Sequence, residues 1–275
     1  MFDSHAHLNF LAFKNDVDEV ISRSLVNNCQ MVNVGSNYQT SRQAVELAAK
    51  HPHGVYASVG LHPIHLAKGV FKMKLDPEEE AADNESDVSF ADYEKLAGSS
   101  KKVVAIGEIG LDFYYKPKTR TKMEEFRKNQ YQALESQLAI AEKLNLPVIF
   151  HCRSAHRELI EFLRVKNQSR AIKGVVHCFT GSWQEAKQYL ELGLYLGFNG
   201  IIFKLDLEET IKNIPLEKML VETDCPYLTP PDLGKGRNEP LNVSYIIKRI
   251  AELRKTSYQE IETITSKNAE VFFSI

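Results

Sequence analysis

The segment MEEFRKNQYQALESQLAIAEKLNLPVIFHCR, residues 123–153, decides the fold. Its first part carries apolar residues at Phe126, Leu134, Leu138, Ala141 and Leu144, spaced for one face of a helix. Its end, LPVIFHCR (146–153), is a short apolar run suited to a buried strand. Upstream, VVAIGEIGLD (103–112) reads as another strand. Strand, long helix and strand make a βαβ unit, whose two strands lie parallel.

The same rhythm extends in both directions. Further strand candidates are MFDSHAH (1–7), QMVNVGS (30–36), VYASVGLH (55–62), GVVHCF (174–179), LYLGFNG (194–200) and MLVETD (219–224). Eight strands alternating with helical stretches predict a parallel α/β architecture. The 275-residue length suits a single (β/α)₈ TIM barrel over residues 1–275. A doubly wound sheet is the alternative, but no Gly-rich phosphate fingerprint follows the first strand. One stretch departs from the rhythm: about 68–92 is polar and acidic, with KLDPEEEAADNESD at its centre. It reads as a solvated insertion that adds little to the core.

Composition narrows the function classes. The chain is 43% hydrophobic and 25% charged, enough for a sizeable core, and its formal net charge is -2. It has no basic excess to grip nucleic acid over a wide surface, so a phosphate-bearing substrate must be held locally, by a few cations or by metal. Cys29, Cys152, Cys178 and Cys225 show no CxxC spacing and read as reduced thiols of a cytoplasmic protein. No apolar run is long enough to span a membrane, no signal peptide is visible, and no long apolar surface run marks an obligate protein partner.

The chemistry-bearing residues sit near the C-terminal ends of the strand candidates: His5 and His7, His62, Glu108, His151, His177 and Asp224. In a parallel barrel those ends converge on one mouth, where active sites form. In HAH, residues i and i+2 share a face, so His5 and His7 aim at one point, with Asp3 on the same side. A single catalytic zinc takes three protein ligands and a water, so this set exceeds one ion's need and suits a two-metal centre. Strand alternation turns Cys152, Cys178 and Cys225 outward. It brings Arg153 onto the face of His151, and Glu222 onto that of Asp224. Arg153 and Glu222 are then either structural ion-pair partners or members of the site.

These motifs together resemble the TatD family of metal-dependent hydrolases, within the amidohydrolase-like barrels. The resemblance is carried by FDSHAHL (2–8), VGLHP (59–63), AIGEIGLDFYY (105–115), PVIFHCR (147–153), HCFTGS (177–182), ETDCPYL (222–228) and GKGRNEP (234–240). It implies His5 and His7 on a first metal, His151 and His177 on a second, Glu108 bridging and Asp224 on the first. It also implies a deoxyribonuclease-type phosphodiesterase. A small-molecule amidohydrolase or esterase on the same barrel is the alternative. Two divalent cations are expected, with Zn, Mn, Mg, Co or Ni as candidates. The expected partner is DNA or another phosphodiester, entering as a single strand or an end.

Further roles follow from this reading. Asp224 accepts the proton of the attacking water, with Glu222 in support. Arg153 and His62 hold phosphate oxygens, or His62 protonates the leaving group. Arg237 and Asn238 either reach a substrate phosphate or merely pack their loop. The aromatics of LDFYYK (111–116) either stack on a base or cover the rim. His51, His53, His65 and His156 are peripheral.

Overall fold

Eight parallel strands pair in the order of the chain: β1 (Phe2–Ala6), β2 (Gln30–Val34), β3 (Val55–Val59), β4 (Val103–Asp112), β5 (Val148–Arg153), β6 (Gly174–Val176), β7 (Tyr195–Phe198) and β8 (Met219–Val221). The computed structural model describes residues 1–275 except 73–76, 78–87 and 169–170. Helices follow the strands: α1 (Val17–Val26), α2 (Tyr38–Ala49), α3 (Phe90–Ala97), α4 (Arg120–Leu144), α5 (His156–Asn167), α6 (Trp183–Glu191), α7 (Glu208–Asn213) and α8 (Val243–Arg254). A last helix, α9 (Tyr258–Phe273), ends the chain. The architecture is the (β/α)₈ barrel.

β1 and β8 close the ring just beyond their strand ends. The amide of Asp224 donates to the carbonyl of His5 (2.8 Å), and that of His7 to the carbonyl of Cys225 (2.9 Å). The barrel floor is apolar. Phe2, at the start of β1, stacks on Phe273 (6.0 Å between centroids), and Tyr195 packs on Phe272 (5.0 Å). Thus α9 seals the end of the barrel opposite the mouth. Each of the three buried phenylalanines contributes roughly 1.5–3 kcal/mol. With the floor filled by hydrocarbon, the polar strand ends are left to the other opening.

The acidic segment is shorter than the sequence suggests. Val70 is buried, and the Phe71 ring lies 5.1 Å from that of Phe126 on α4. The start of the 68–92 stretch therefore packs on the barrel's helix layer, because its apolar pair meets an apolar stripe. Its end enters α3, where the Asp92 carboxylate accepts the Ser89 amide (2.9 Å). The acidic run itself, 73–76 and 78–87, lies outside the described residues. Among the described residues no helix is long and apolar enough to cross a membrane.

Candidate active site

Glu108 is the centre of the mouth. It sits inside β4, buried, with its two carboxylate oxygens turned to different neighbours. Oε2 lies 3.6 Å from His5 Nε2. Oε1 lies 2.6 Å from both His151 Nδ1 and His177 Nε2. On the Oε2 side, His5 Nε2 and His7 Nε2 stand 3.1 Å apart, and Asp224 Oδ1 is 3.4 Å from His7 Nε2. On the Oε1 side, His177 Nε2 and His151 Nδ1 are 3.4 Å apart. Two nitrogens bound to one ion at about 2.0–2.1 Å stand roughly 3 Å apart. The donor set therefore fits a divalent cation, and the Glu108 carboxylate turns one oxygen to each of the two groups.

The outer partners of the histidines set which nitrogen faces inward. His7 Nδ1–H donates to the Val34 carbonyl (2.9 Å), leaving the Nε2 lone pair in the cluster. His177 Nδ1 faces Glu222 Oε1 at 3.4 Å. His151 Nε2 faces Asp112 Oδ2 at 3.3 Å, so a proton there turns the Nδ1 lone pair inward. His5 Nδ1 is buried with no hydrogen-bond partner among the described residues, and its ring stacks on that of His177 at 4.0 Å.

The charges are mutually dependent. Burial pushes the Glu108 carboxyl up, but His177, His62 and His151 around it hold it well below the usual carboxylate range. Burial lowers His177 and His151, yet Glu108 and the outer carboxylates bring both above the ordinary histidine value. The carboxylates draw protons onto these rings. Cations held by these residues would take over that role and release the protons.

His62 behaves differently. It lies beyond β3 and caps a short 3₁₀ turn, where Nδ1 accepts the Ile64 amide (3.0 Å). Its proton is therefore on Nε2, 3.5 Å from Glu108 Oε1. Burial, with His151 adding repulsion, pushes its pKa down to about 3. A neutral imidazole with Nε2–H pointing inward is a hydrogen-bond donor. The His62 ring stands with Glu108 and His151 in one group of possible ligands.

The two acidic residues after β8 have separate surroundings. Asp224 borders the mouth cavity of about 660 Å³, with its backbone at φ 57°. Glu222 does not. It is 1% exposed, and its Oε1 accepts the Cys178 amide (2.6 Å) and Asn199 Nδ2–H (3.1 Å). It stands behind His177 as a positioning group, away from the reacting position. The fit depends on Gly197, where a Cβ would lie 2.5 Å from Glu222 Oε2. Asp3 also stays below the cluster. It bonds the Thr223 amide (2.8 Å) and hydroxyl (2.6 Å), and burial pushes it up to about 8.

Arg237 and Asn238 are engaged elsewhere. The Arg237 guanidinium lies against Asp16 (2.6 Å) and Glu239 (3.1 Å) and stacks over Phe13 (4.2 Å). Asn238 is buried and donates to the Thr223 and Tyr227 carbonyls. Both residues pack the loop after β8. Arg153 is exposed at the cavity edge, 3.8 Å from the Tyr114 ring centroid, with no carboxylate partner among the described residues. Cys152 and Cys225 are buried thiols and Cys178 is half-buried, with Cys152 and Cys178 both lining the cavity. β6 stops at Val176 and the backbone turns at Cys178 (φ 44°), which ends strand alternation. His156 is peripheral but not loose: its ring bridges the Tyr189 and Thr180 hydroxyls (3.1 and 3.3 Å).

Three residues were missed in the sequence. Asp112 lies on the Glu108 side of β4 by strand alternation, a signal that was available. Gln130 and Gln137 of α4 share the helix face of Phe126, Leu134 and Ala141, so their burial was signalled by the spacing, but their partners were not. Gln130 pairs with both backbone groups of Asp112 (2.8 and 2.9 Å). Gln137 pairs with both backbone groups of Leu61 (2.7 and 3.2 Å), next to His62. One helix thus pins the end of β4 and the loop after β3.

The model of the TatD-related DNase family matches residues 2–274. The chain belongs to this family. Among TatD-type relatives, the uncharacterized metal-dependent hydrolase YabD of Bacillus subtilis is 35% identical, the match covering 100% of this chain and 99% of YabD. The 3'-5' ssDNA/RNA exonuclease TatD of Citrobacter rodentium is 37% identical, over 100% of this chain and 98% of its own. The crystal structure of YJJV, a TatD homologue from Escherichia coli K12, superposes with a TM-score of 0.84. It is 28% identical, with coverage of 100% of this chain and 98% of that one.

Proposed function

We propose that this TatD-family hydrolase cuts phosphodiester bonds of single-stranded nucleic acid from an end, using two divalent cations held by His5, His7, Glu108, His151, His177 and Asp224. It is an enzyme acting on ester bonds, in a family whose relatives are named metal-dependent hydrolases and exonucleases. The observation that carries the two-cation reading is the split of the Glu108 carboxylate between two donor sets. Divalent cations in such a site polarise the phosphoryl oxygen and make water a nucleophile near neutral pH.

The side chains supply the rest. Asp224 faces the cavity and accepts the proton of the attacking water. His62 donates its Nε2–H to a phosphoryl oxygen, and Arg153 adds a positive charge at the rim. A recess of about 660 Å³ takes a nucleotide but not a duplex, which favours strand ends. This local grip suits a protein of net charge -2.

The test is metal content by elemental analysis, with activity on single-stranded DNA, duplex DNA and a small phosphodiester. Two equivalents per chain and faster cleavage of the single strand are expected, with both properties lost in Glu108→Ala. Full metal content and activity in Glu108→Ala overturn the bridging role. Hydrolysis of amides or carboxylic esters in preference to every phosphodiester overturns the nuclease reading.

A further inference from the structure

The β4–α4 connection leads from the cavity to the surface with aromatic and basic side chains. Tyr115 borders the cavity, and Tyr114 meets it edge-on, with centroids 5.3 Å apart. Arg153 lies over both rings, 3.8 Å from the Tyr114 centroid and 5.7 Å from that of Tyr115. Arg153 covers one side of the Tyr114 ring, yet Tyr114 as a whole remains 55% exposed. Apolar cover of the rim would bury that ring. Lys116 and Lys118 follow on the same connection, both exposed and without a carboxylate partner among the described residues. Arg120, by contrast, is taken by Glu124 at 2.7 Å.

We propose that Tyr114, with Lys116 and Lys118, is a docking platform for the part of a single-stranded nucleic acid that extends out of the mouth. This deepens the nuclease reading above and rests on it. A base stacks on the exposed Tyr114 ring, whose opposite side is backed by the Arg153 guanidinium. The two lysines accompany the phosphates outward. Stacking accepts any base, because every base has a π-face. The platform therefore selects polymer over small diester, and single strand over duplex, without reading sequence. A substrate confined to the cavity does not reach it.

Metal-loaded wild-type protein, Tyr114→Ala, Tyr114→Trp and the double variant Lys116→Ala/Lys118→Ala are compared on an oligodeoxythymidine and on bis(p-nitrophenyl) phosphate. Loss of one base–aromatic stack lowers kcat/KM for the oligonucleotide by about 5- to 150-fold. The loss in Tyr114→Ala is expected chiefly in KM, with the small diester nearly unaffected and Tyr114→Trp restoring the rate. The lysine pair is expected to flatten the salt dependence, by about 1.4 in the slope of log kcat/KM against log salt. Undiminished oligonucleotide cleavage in Tyr114→Ala, or an equal loss on both substrates, overturns the platform alone. Wild-type protein that hydrolyses no oligonucleotide overturns the nuclease reading and the platform with it.

Discussion

Asp112 Oδ2 stands 3.3 Å from His151 Nε2, on the side of the ring away from Glu108. The contact decides which nitrogen of His151 presents a lone pair to the cluster. Carboxylates in this outer position commonly change metal affinity or activity by about 10–100-fold when removed. Asp112→Asn is expected to weaken metal binding within that range while the circular dichroism spectrum stays native. Calorimetric titration with zinc or manganese checks it, and an unchanged affinity refutes the orienting role.

Glu222 and Asp224 should separate by experiment. Asp224→Asn removes the carboxylate that faces the cavity, so turnover is expected to fall by several orders of magnitude with the fold intact. Glu222→Gln keeps the shape of the group behind His177 and weakens only its hold on the ring. A partial loss, about 10–100-fold, is expected. Equal losses in the two variants contradict a division between a reacting carboxylate and a positioning one.

Asp3 gives a pH signature. Burial raises its folded-state pKa from 3.8 to about 8, so between those values the folded protein holds a proton that the unfolded chain has released. Folding stability then declines as pH rises through this window, since the unfolded state binds fewer protons there. Asp3→Asn keeps a neutral partner for Thr223 and removes the titration. Thermal melts from pH 4 to pH 8 are expected to show the wild type losing stability relative to Asp3→Asn as pH rises. Parallel curves count against a protonated Asp3.

Arg237 is expected to matter for stability more than for substrate. It joins Asp16 and Glu239 across the loop after β8 and covers Phe13. Arg237→Ala takes one of two cationic partners from Asp16 and Glu239, leaving Arg23 beside both, and uncovers an aromatic ring; it should cost about 1–3 kcal/mol. Denaturant unfolding measures that cost. A large rise in KM for oligonucleotide without loss of stability restores the phosphate-contact role.

Much of this protein is written locally. Most strand positions are legible because the β elements are short apolar runs between turn residues, and burial on both faces demands such a run; β1 (FDSHA) is the exception. The site's histidines and Glu108 are legible for a related reason: parallel strands bring their C-terminal ends together, whatever the intervening helices do. Asp112 was within reach of the same alternation. The other assignments depended on neighbours remote in sequence. Arg237 meets Asp16, more than two hundred positions away, and becomes a structural clamp. Glu222 is turned from the mouth because β8 ends at Val221, where strand alternation no longer applies. Gln130 and Gln137 sit on the apolar face of α4, and only the backbone of Asp112 and Leu61 shows what these buried amides bond. The sequence by itself determined the layered barrel and the residue types at its mouth, since both follow from local periodicity. Only the tertiary structure decided which charged groups face the cavity and which support from behind. That choice is set by desolvation and by the geometry of hydrogen-bond partners, which no local pattern contains.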